Sequence, residues 1–296
     1  MKQTLSEQAH FLDSEYPPVT PERAAFHIIP VPLEQGVSWG GGTSAGPAAL
    51  LTASRQLEAV ENGLAPGESG FYTAPFVNCE GNIRDVLARI SCATERALDC
   101  GACPVLLGGE HTVSLGALGA LARRGELGIV QIDAHADLRN EYEGNPFSHA
   151  CVMYRAVYDL GLPLVQFAVR EISREESALR ERLEIRHYDA ARLSRDGLPP
   201  RPLPADFPRR IYISFDLDGL DSSLMPATGT PSPGGLFWHE AVELLTRCAE
   251  GREVAGFDVV ELAPLPGLRH ADFTAAKLTH ALMTVCLGEN SLGAKT

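Results

Sequence analysis

Short apolar runs rich in β-branched residues alternate with longer stretches of helical character along most of this 296-residue chain. Such runs, when bounded by turn residues, are typical of strands buried on both faces of a sheet. Strands that alternate with helices predict a mostly parallel sheet covered on both faces, a three-layer α/β/α fold. The predicted strands are 25–31, 104–107, 127–132, 164–168, 185–188, 211–215 and 254–260. The predicted helices are 45–61, 81–99, 112–123, 148–160, 237–250 and 274–288.

Three segments interrupt this alternation. Residues 1–24 are polar and contain three prolines, so we expect an N-terminal arm ahead of a single domain spanning 25–296. Residues 193–208 contain five prolines and predict a surface connection. The glycine-rich segment 36–43 lacks the spacing of dinucleotide- and phosphate-binding loops, which favours a loop that lines a pocket.

The composition limits the partners and the compartment. A formal net charge of −13 repels nucleic acid and anionic membranes and favours cationic solutes. The sequence has neither a secretory signal pattern nor a membrane-length apolar run, so we expect a cytoplasmic protein without nucleic-acid or membrane partners. Seven scattered cysteines favour reduced thiols. The pair Cys100 and Cys103 has CxxC spacing, but a helix end explains it better than a zinc or redox site does.

Acidic and imidazole side chains occupy every second position after two of the predicted strands. Asp133, His135 and Asp137 follow strand 127–132, while Asp216 and Asp218 follow strand 211–215. In extended backbone, residues two apart point to the same side, so each set converges. Carboxylates packed so closely require positive charge, and a pair of divalent cations is a natural source of it.

Two further polar residues follow strands in the same way. His111 comes shortly after strand 104–107, and Glu261 directly follows strand 254–260. A lone histidine after a strand is more often structural than a ligand, and a lone aspartate at a strand end is more often a helix cap. Because ligands of parallel α/β sheets bind beyond the carboxyl ends of the strands, the joint occurrence of these groups favours a functional site.

Four motifs, in order and spacing, resemble the ureohydrolase family of agmatinases, arginases and guanidino-acid hydrolases. They are Gly-Gly-Glu-His at 108–111, Asp-Ala-His-Ala-Asp at 133–137, Ser-Phe-Asp-Leu-Asp-Gly-Leu-Asp at 214–221 and Asp-Val-Val-Glu at 258–261. Segments 32–38 and 137–149 are most similar to bacterial and archaeal agmatinases. The resemblance implies an arginase-like fold and a homo-oligomer, either a trimer or a hexamer.

The resemblance also implies two Mn²⁺ ions per chain, which carboxylate-rich sites suit. One ion would be held by His111, Asp133, Asp137 and Asp216. The other would be held by His135, Asp133, Asp216 and Asp218, with Asp133 and Asp216 bridging. A water activated between the ions would attack the guanidinium carbon, and Asp137 would orient that water.

Substrate contacts are implied at two further residues. Glu261 would pair with the guanidinium group. His149 would carry a proton to the leaving amine, with a surface-loop histidine as the alternative. Glu110 would support the site without binding metal. Departures from the family pattern at Ala150, Ser222 and Ala263 leave loop shape and substrate choice open.

The expected reaction is hydrolysis of agmatine, a small cationic guanidino substrate, to urea and putrescine. Glu141 and Glu143 lie in the loop after the first metal cluster and suit a cationic tail, whereas Arg139 in the same loop argues weakly for a carboxylate. Alternatives are a hydrolase of arginine or guanidinobutyrate, and a catalytically silent paralogue that binds polyamine. The intact set of six ligands argues against the silent paralogue.

Overall fold

A single sheet of eight parallel strands forms the centre of the computed structural model, which describes residues 9–292. Across the sheet the order is β2-β1-β3-β8-β7-β4-β5-β6. The strands are β1 (Phe26–Val31), β2 (Phe71–Thr73), β3 (Cys103–Gly108), β4 (Gly128–Ile132), β5 (Leu164–Phe167), β6 (Arg186–Tyr188), β7 (Arg210–Asp216) and β8 (Glu253–Val260). The predicted parallel α/β sheet is confirmed.

Helices cover both faces of this sheet. They are α1 (Gly46–Ser54), α2 (Ile83–Asp99), α3 (Ser114–Ala122), α4 (Val152–Tyr158), α5 (Arg174–Arg182), α6 (Ala190–Asp196), α7 (Trp238–Ala249) and α8 (Arg269–Leu292). Apolar side chains of α1, α6, α7 and α8 pack with one face, and those of α2 to α5 with the other. Within β4, Val130 and Ile132 face the first layer and Ile129 the second, as strand periodicity requires. The three-layer prediction is therefore confirmed.

The structure corrects several predicted elements. Strand β2 and helix α5 were not predicted, and α6 occupies the start of the proline-rich connection. Helix α1 ends at Ser54 and not near residue 61, because Leu57 turns into the core and Glu61 pairs with Lys277 of α8. A capping box of Ser173 and Glu176 begins α5, and this Ser-x-x-Glu pattern was a sequence signal for it.

The segment predicted as an arm contributes to the core where it is described. Phe11 and Leu12 are almost fully buried, and the Phe11 ring packs edge-on against Phe71 of β2 at 5.7 Å. The Phe11 amide donates to Thr73 Oγ1 at 3.0 Å. Residues 1–8 of the predicted arm and 293–296 of the predicted domain lie outside the described residues. Over residues 9–292, none of the helices combines the length and apolarity that crossing a membrane requires.

Replacing Phe11 with alanine tests whether the beginning of the chain stabilises the domain. Phe11→Ala removes a buried ring that packs on β2, and we expect the free energy of unfolding to fall by about 3–5 kcal/mol. The control is Phe273→Ala, because Phe273 is 40 % exposed on α8 and should cost about 1 kcal/mol or less. Urea denaturation of both variants gives the comparison. Equal, small losses would show that Phe11 is dispensable for folding.

Candidate metal centre

Four adjacent strands in the middle of the sheet carry the predicted site residues to one edge. Asp133 directly follows β4, and Asp216 is the last residue of the neighbouring strand β7. Glu261 directly follows β8, which lies between β7 and β3. His111 begins a short turn just after β3. Parallel strands present their carboxyl ends at the same edge, so these residues converge although they are far apart in sequence.

Two overlapping groups of side chains have the geometry to hold metal ions. The ligand atoms of His111, Asp133 and Asp216 lie within 4.8 Å of one another, as do those of Asp133, His135 and Asp218. Asp133 belongs to both groups, which is the arrangement expected of a bridging carboxylate. Asp216 belongs to the first group, so its bridging role stays a prediction.

The His111 ring fits a metal ligand. Its Nδ1 lies 3.0 Å from Asp137 Oδ2, 3.2 Å from Asp133 Oδ2 and 3.5 Å from Asp216 Oδ2. This nitrogen is buried and makes no hydrogen bond of acceptable geometry. Buried polar atoms are nearly always satisfied, so a nitrogen surrounded by carboxylate oxygens is suited to a cation held among them.

Backbone amides hold the carboxylates of the second group. His135 Nδ1 lies 3.0 Å from Asp218 Oδ2 and 3.6 Å from Asp133 Oδ1. The Ala134 amide donates to Asp218 Oδ1 at 3.0 Å, and the His135 amide donates to Asp133 Oδ1 at 2.6 Å. The Asp218 amide in turn donates to Asp216 Oδ1 at 2.9 Å. These bonds orient the carboxylates before any ligand binds.

The pKa values in the cluster report crowded negative charge. Burial, together with the charges of Asp218 and Asp133, raises the pKa of Asp216 well above its usual range. Burial and the Asp133 charge raise the pKa of Asp137 to about 6. Burial alone would lower the pKa of His135, but Asp218 and Asp133 outweigh it and raise this pKa to about 12. The cluster therefore favours positive charge, supplied by protons or by metal ions.

Glu261 and His149 lie together in the wall of the site. Glu261 Oε1 accepts the His111 amide at 2.7 Å and lies 3.2 Å from His149 Nδ1. The other ring nitrogen of His149 is 3.1 Å from Ser38 Oγ. Burial would lower the pKa of His149, but the hydrogen bond and charge of Glu261 raise it to about 9. The His149 side chain is only 16 % exposed, so it is not the surface-loop histidine of the alternative interpretation.

A cavity of about 180 Å³ opens above the two groups. A second cavity of about 300 Å³ lies beside it and shares four of its lining residues. The first is lined by Ser38, His135, Asp137, Arg139, Tyr142, His149, Ala150, Asp216, Asp218, Gly229, Thr230 and Glu261. The second is lined by His135, Asp137, Arg139, Ala150, Glu171, Ile172, Ser173 and Glu176. The site thus continues into a second space with two more carboxylates.

Glu110 connects the glycine-rich loop to the site. Its Oε2 accepts the amides of Gln35 and Gly36 at 2.7 and 2.6 Å. Two residues further on, Ser38 lines the cavity, as predicted for this loop. Glu110 lies outside both groups that could hold a metal, in keeping with its expected supporting role.

Two buried polar residues near the site were given no role from the sequence, although Asp258 begins the motif at 258–261. Gln131 of β4 donates to Asp133 Oδ2 at 2.7 Å, and Asp258 of β8 accepts hydrogen bonds from its neighbours. Both interrupt otherwise apolar strands, and this was the available signal. Over residues 9–292, the groups that could hold a metal consist of His and Asp, so Cys100 and Cys103 belong to none.

Comparisons with known proteins agree with this geometry. The model of the arginase family matches residues 24–285. The chain belongs to the arginase family. It is 38 % identical over 263 residues to the N(1)-aminopropylagmatine ureohydrolase of Thermus thermophilus. The aligned region covers 88 % of this chain and 89 % of the relative. The chain is 31 % identical over 271 residues to the agmatinase of Pyrococcus horikoshii, covering 90 % and 93 %.

A solved structure extends the likeness to the whole fold. The agmatine ureohydrolase of Thermoplasma volcanium superimposes with a TM-score of 0.85 at 27 % identity, covering 97 % of each chain. As a member of the arginase family, the present chain is a hydrolase that acts on guanidino or amidino groups.

The shared position of Asp133 generates a prediction about metal binding. Asp133→Asn keeps the shape of the side chain but removes its charge from both groups. We expect affinity for Mn²⁺ to fall at least roughly 10-fold, with hydrolytic activity falling in parallel. Equilibrium dialysis with elemental analysis measures the first, and urea release the second. Asp159→Asn, at an exposed residue on the far end of α4, is the control. Wild-type binding and activity in Asp133→Asn would contradict the assignment.

Proposed function

We propose that this protein is a dinuclear manganese ureohydrolase that cleaves the guanidinium group of agmatine to give urea and putrescine. The observation that carries the proposal is the pair of metal-binding groups sharing Asp133 beneath a cavity walled by Glu261 and His149. The six predicted ligands His111, Asp133, His135, Asp137, Asp216 and Asp218 would hold the two ions. Their oxygen-rich donor set suits Mn²⁺ better than a thiolate-binding metal.

When bound, two divalent cations make a nearby water molecule acidic enough to act as a nucleophile near neutral pH. Asp137 lies beside His111 at the floor of the cavity, where it can accept a hydrogen bond from that water. The chain's own residues must then bind the guanidinium group and supply a proton to the departing amine.

Glu261 is placed to bind the guanidinium group. Both of its hydrogen-bond contacts at the site use Oε1, which leaves Oε2 for the substrate. A guanidinium is always charged at working pH, and its hydrogen bond to a carboxylate is charge-assisted. With Oε1 already occupied, we expect pairing mainly through Oε2 and not the symmetric two-oxygen fork.

His149 is placed to move a proton. The hydrogen bond and charge of Glu261 raise the pKa of His149 to about 9, which favours uptake of a proton that the ring can give to the leaving amine. Ser38 and Glu261 each lie near one of its nitrogens and fix the orientation of the ring.

The walls of the site favour a cationic tail over a carboxylate. Arg139 is the residue that would attract a carboxylate, but it lies over the Tyr142 ring and 3.8 Å from Glu176. Its charge is therefore partly compensated. Glu171 and Glu176 add negative charge in the adjoining cavity. This disfavours arginine and guanidinobutyrate, the two alternatives that carry a carboxylate.

N(1)-aminopropylagmatine is a second candidate substrate. The Thermus thermophilus relative is named for it, and a second cavity adjoins the first on the side of Glu171. An agmatine lengthened by an aminopropyl group carries an additional amine, which this acidic space would accommodate electrostatically.

A panel of guanidino compounds tests the choice of substrate. We expect kcat/KM for agmatine or N(1)-aminopropylagmatine to exceed that for arginine and guanidinobutyrate by about 10²-fold or more. Butylguanidine, which has the chain of agmatine without its amine, is the matched control for the tail charge and should be a poor substrate. Better use of either carboxylate compound would overturn the choice. No urea from any compound in the Mn²⁺-loaded protein would favour the silent paralogue.

Glu261→Gln tests the contact with the guanidinium group. The change keeps the volume and removes the charge, so kcat/KM for agmatine should fall by at least roughly 10²-fold while Mn²⁺ content is unchanged. Glu175→Gln, on the exposed side of α5, is the matched control and should behave as wild type. Loss of metal in Glu261→Gln would identify Glu261 as a ligand. Full activity would remove it from the substrate site.

A further inference from the structure

Asp258 is a fully buried carboxylate in β8 to which the proposed reaction gives no role. Its Oδ2 accepts hydrogen bonds from Ser114 Oγ at 2.6 Å and from the Tyr212 hydroxyl at 2.8 Å. Its Oδ1 accepts from Ser214 Oγ at 3.0 Å and from the Phe215 amide at 3.1 Å. Burial raises the pKa of Asp258, and the hydrogen bonds from Ser114, Tyr212 and Ser214 oppose that rise because they stabilise the ionised form.

The protons in this network can be assigned by counting. A serine hydroxyl has one proton to donate, and Ser214 directs its proton to Asp258. The Ser214 oxygen lies 2.8 Å from His111 Nε2 and must therefore accept a hydrogen bond from that nitrogen. His111 consequently carries a proton on Nε2.

The opposite nitrogen of the same ring is the one that faces the carboxylates of the metal centre. His111 Nδ1 lies within 3.5 Å of Asp133, Asp137 and Asp216 and makes no hydrogen bond. A metal ion requires an unprotonated nitrogen, and the hydrogen bond of the other nitrogen decides which one that is.

We infer that Asp258 is a positioning residue for the metal centre, acting through Ser214 to hold His111 in the tautomer whose Nδ1 can bind a divalent cation. The inference rests on the proposed metal-dependent function. Asp258 also binds the Phe215 amide, one residue before Asp216, so the same carboxylate anchors the end of β7 that carries a second ligand.

The principal test is Asp258→Asn. Ser214 Oγ lies within 3.2 Å of both Asp258 oxygens, so in either orientation the new amide brings an N–H₂ group next to this hydroxyl. The hydrogen bond from Ser214 to the side chain at position 258 therefore weakens, and the Ser214 hydroxyl can rotate to donate its proton to His111 Nε2. We expect affinity for the Mn²⁺ ion at His111, Asp133 and Asp216 to fall about 10- to 100-fold, while the ion at Asp133, His135 and Asp218 is retained.

Two companion variants make the test specific. Ser214→Ala deletes the acceptor for His111 Nε2 directly and should weaken the same ion. Tyr212→Phe removes a different donor from the same carboxylate and leaves the contact between Ser214 and His111 in place. It should bind two Mn²⁺ ions with wild-type affinity. Tyr212→Phe also disturbs Asp258, so it controls for a purely structural effect. If it lowers folding stability but keeps Mn²⁺ affinity, loss of stability does not explain weaker binding in the other two variants.

The measurement is equilibrium dialysis against a series of Mn²⁺ concentrations, with thermal melting recorded on the same samples. Electron paramagnetic resonance separates an isolated Mn²⁺ from a coupled pair, so Asp258→Asn at limiting metal should give the isolated signal. Should Asp258→Asn fail to fold, Ser214→Ala decides.

Three results would overturn the inference. Wild-type affinity for both ions in folded Asp258→Asn and Ser214→Ala would confine Asp258 to packing. An equal loss of Mn²⁺ affinity in Tyr212→Phe would show that any disturbance of the buried Asp258 weakens binding. Wild-type protein that binds no Mn²⁺ would remove the proposed function itself, whereas the first two results leave that function intact.

Discussion

The concentration of buried negative charge at the middle of the sheet is the constraint on which the rest of the structure depends. Asp133, Asp216 and Asp218 are at most 4 % exposed and meet at the ends of two paired strands. Two unit charges 4 Å apart repel by about 4 kcal/mol at an effective dielectric constant of 20. Backbone amides and Gln131 offset part of this repulsion. The remainder is the driving force for binding cations.

Backbone geometry around the cluster is adapted to the same purpose. Asp137 and Glu261 have φ angles of 52° and 66°, in the left-handed region that costs most side chains about 1–2 kcal/mol. The Glu261 amide donates to the carbonyl of Gly109 at 2.8 Å, which holds the strained residue in place. A side chain at Gly109 would lie 2.0 Å from the Leu33 carbonyl oxygen, so only glycine allows this approach. The Gly-Gly-Glu-His motif thus combines a ligand with the packing that positions it.

Supporting residues form an outer layer that determines how the ligands act. Glu110 anchors the loop that brings Ser38 to His149, and Asp258 binds the hydroxyl that contacts His111. Neither carboxylate belongs to a group that could hold metal. In both cases a buried charge fixes the orientation of another group, which is how precise geometry is maintained beneath an open cavity.

Sequence alone determined the type of sheet and the cluster of acidic and imidazole side chains at its edge. Strand-length apolar runs followed by Asp-x-His-x-Asp and Asp-x-Asp were sufficient, because strand periodicity is local and sets which side chains share a face. Local pattern missed β2, which is only three residues long, and the shortening of α1, where burial of Leu57 overrode helix propensity.

Only the tertiary structure decided which distant residues meet. The strand order places β8 between β3 and β7, so Glu261 contacts the amide of a residue 150 positions earlier. Ser38 reaches His149 across 111 positions, and Asp258 reaches Ser214 across 44. Such contacts depend on the crossover connections and on packing across the whole sheet. No local signal encodes them, so the sequence predicted the clustered acidic and imidazole residues and a supporting role for Glu110, but not the contacts of Ser38 and Asp258.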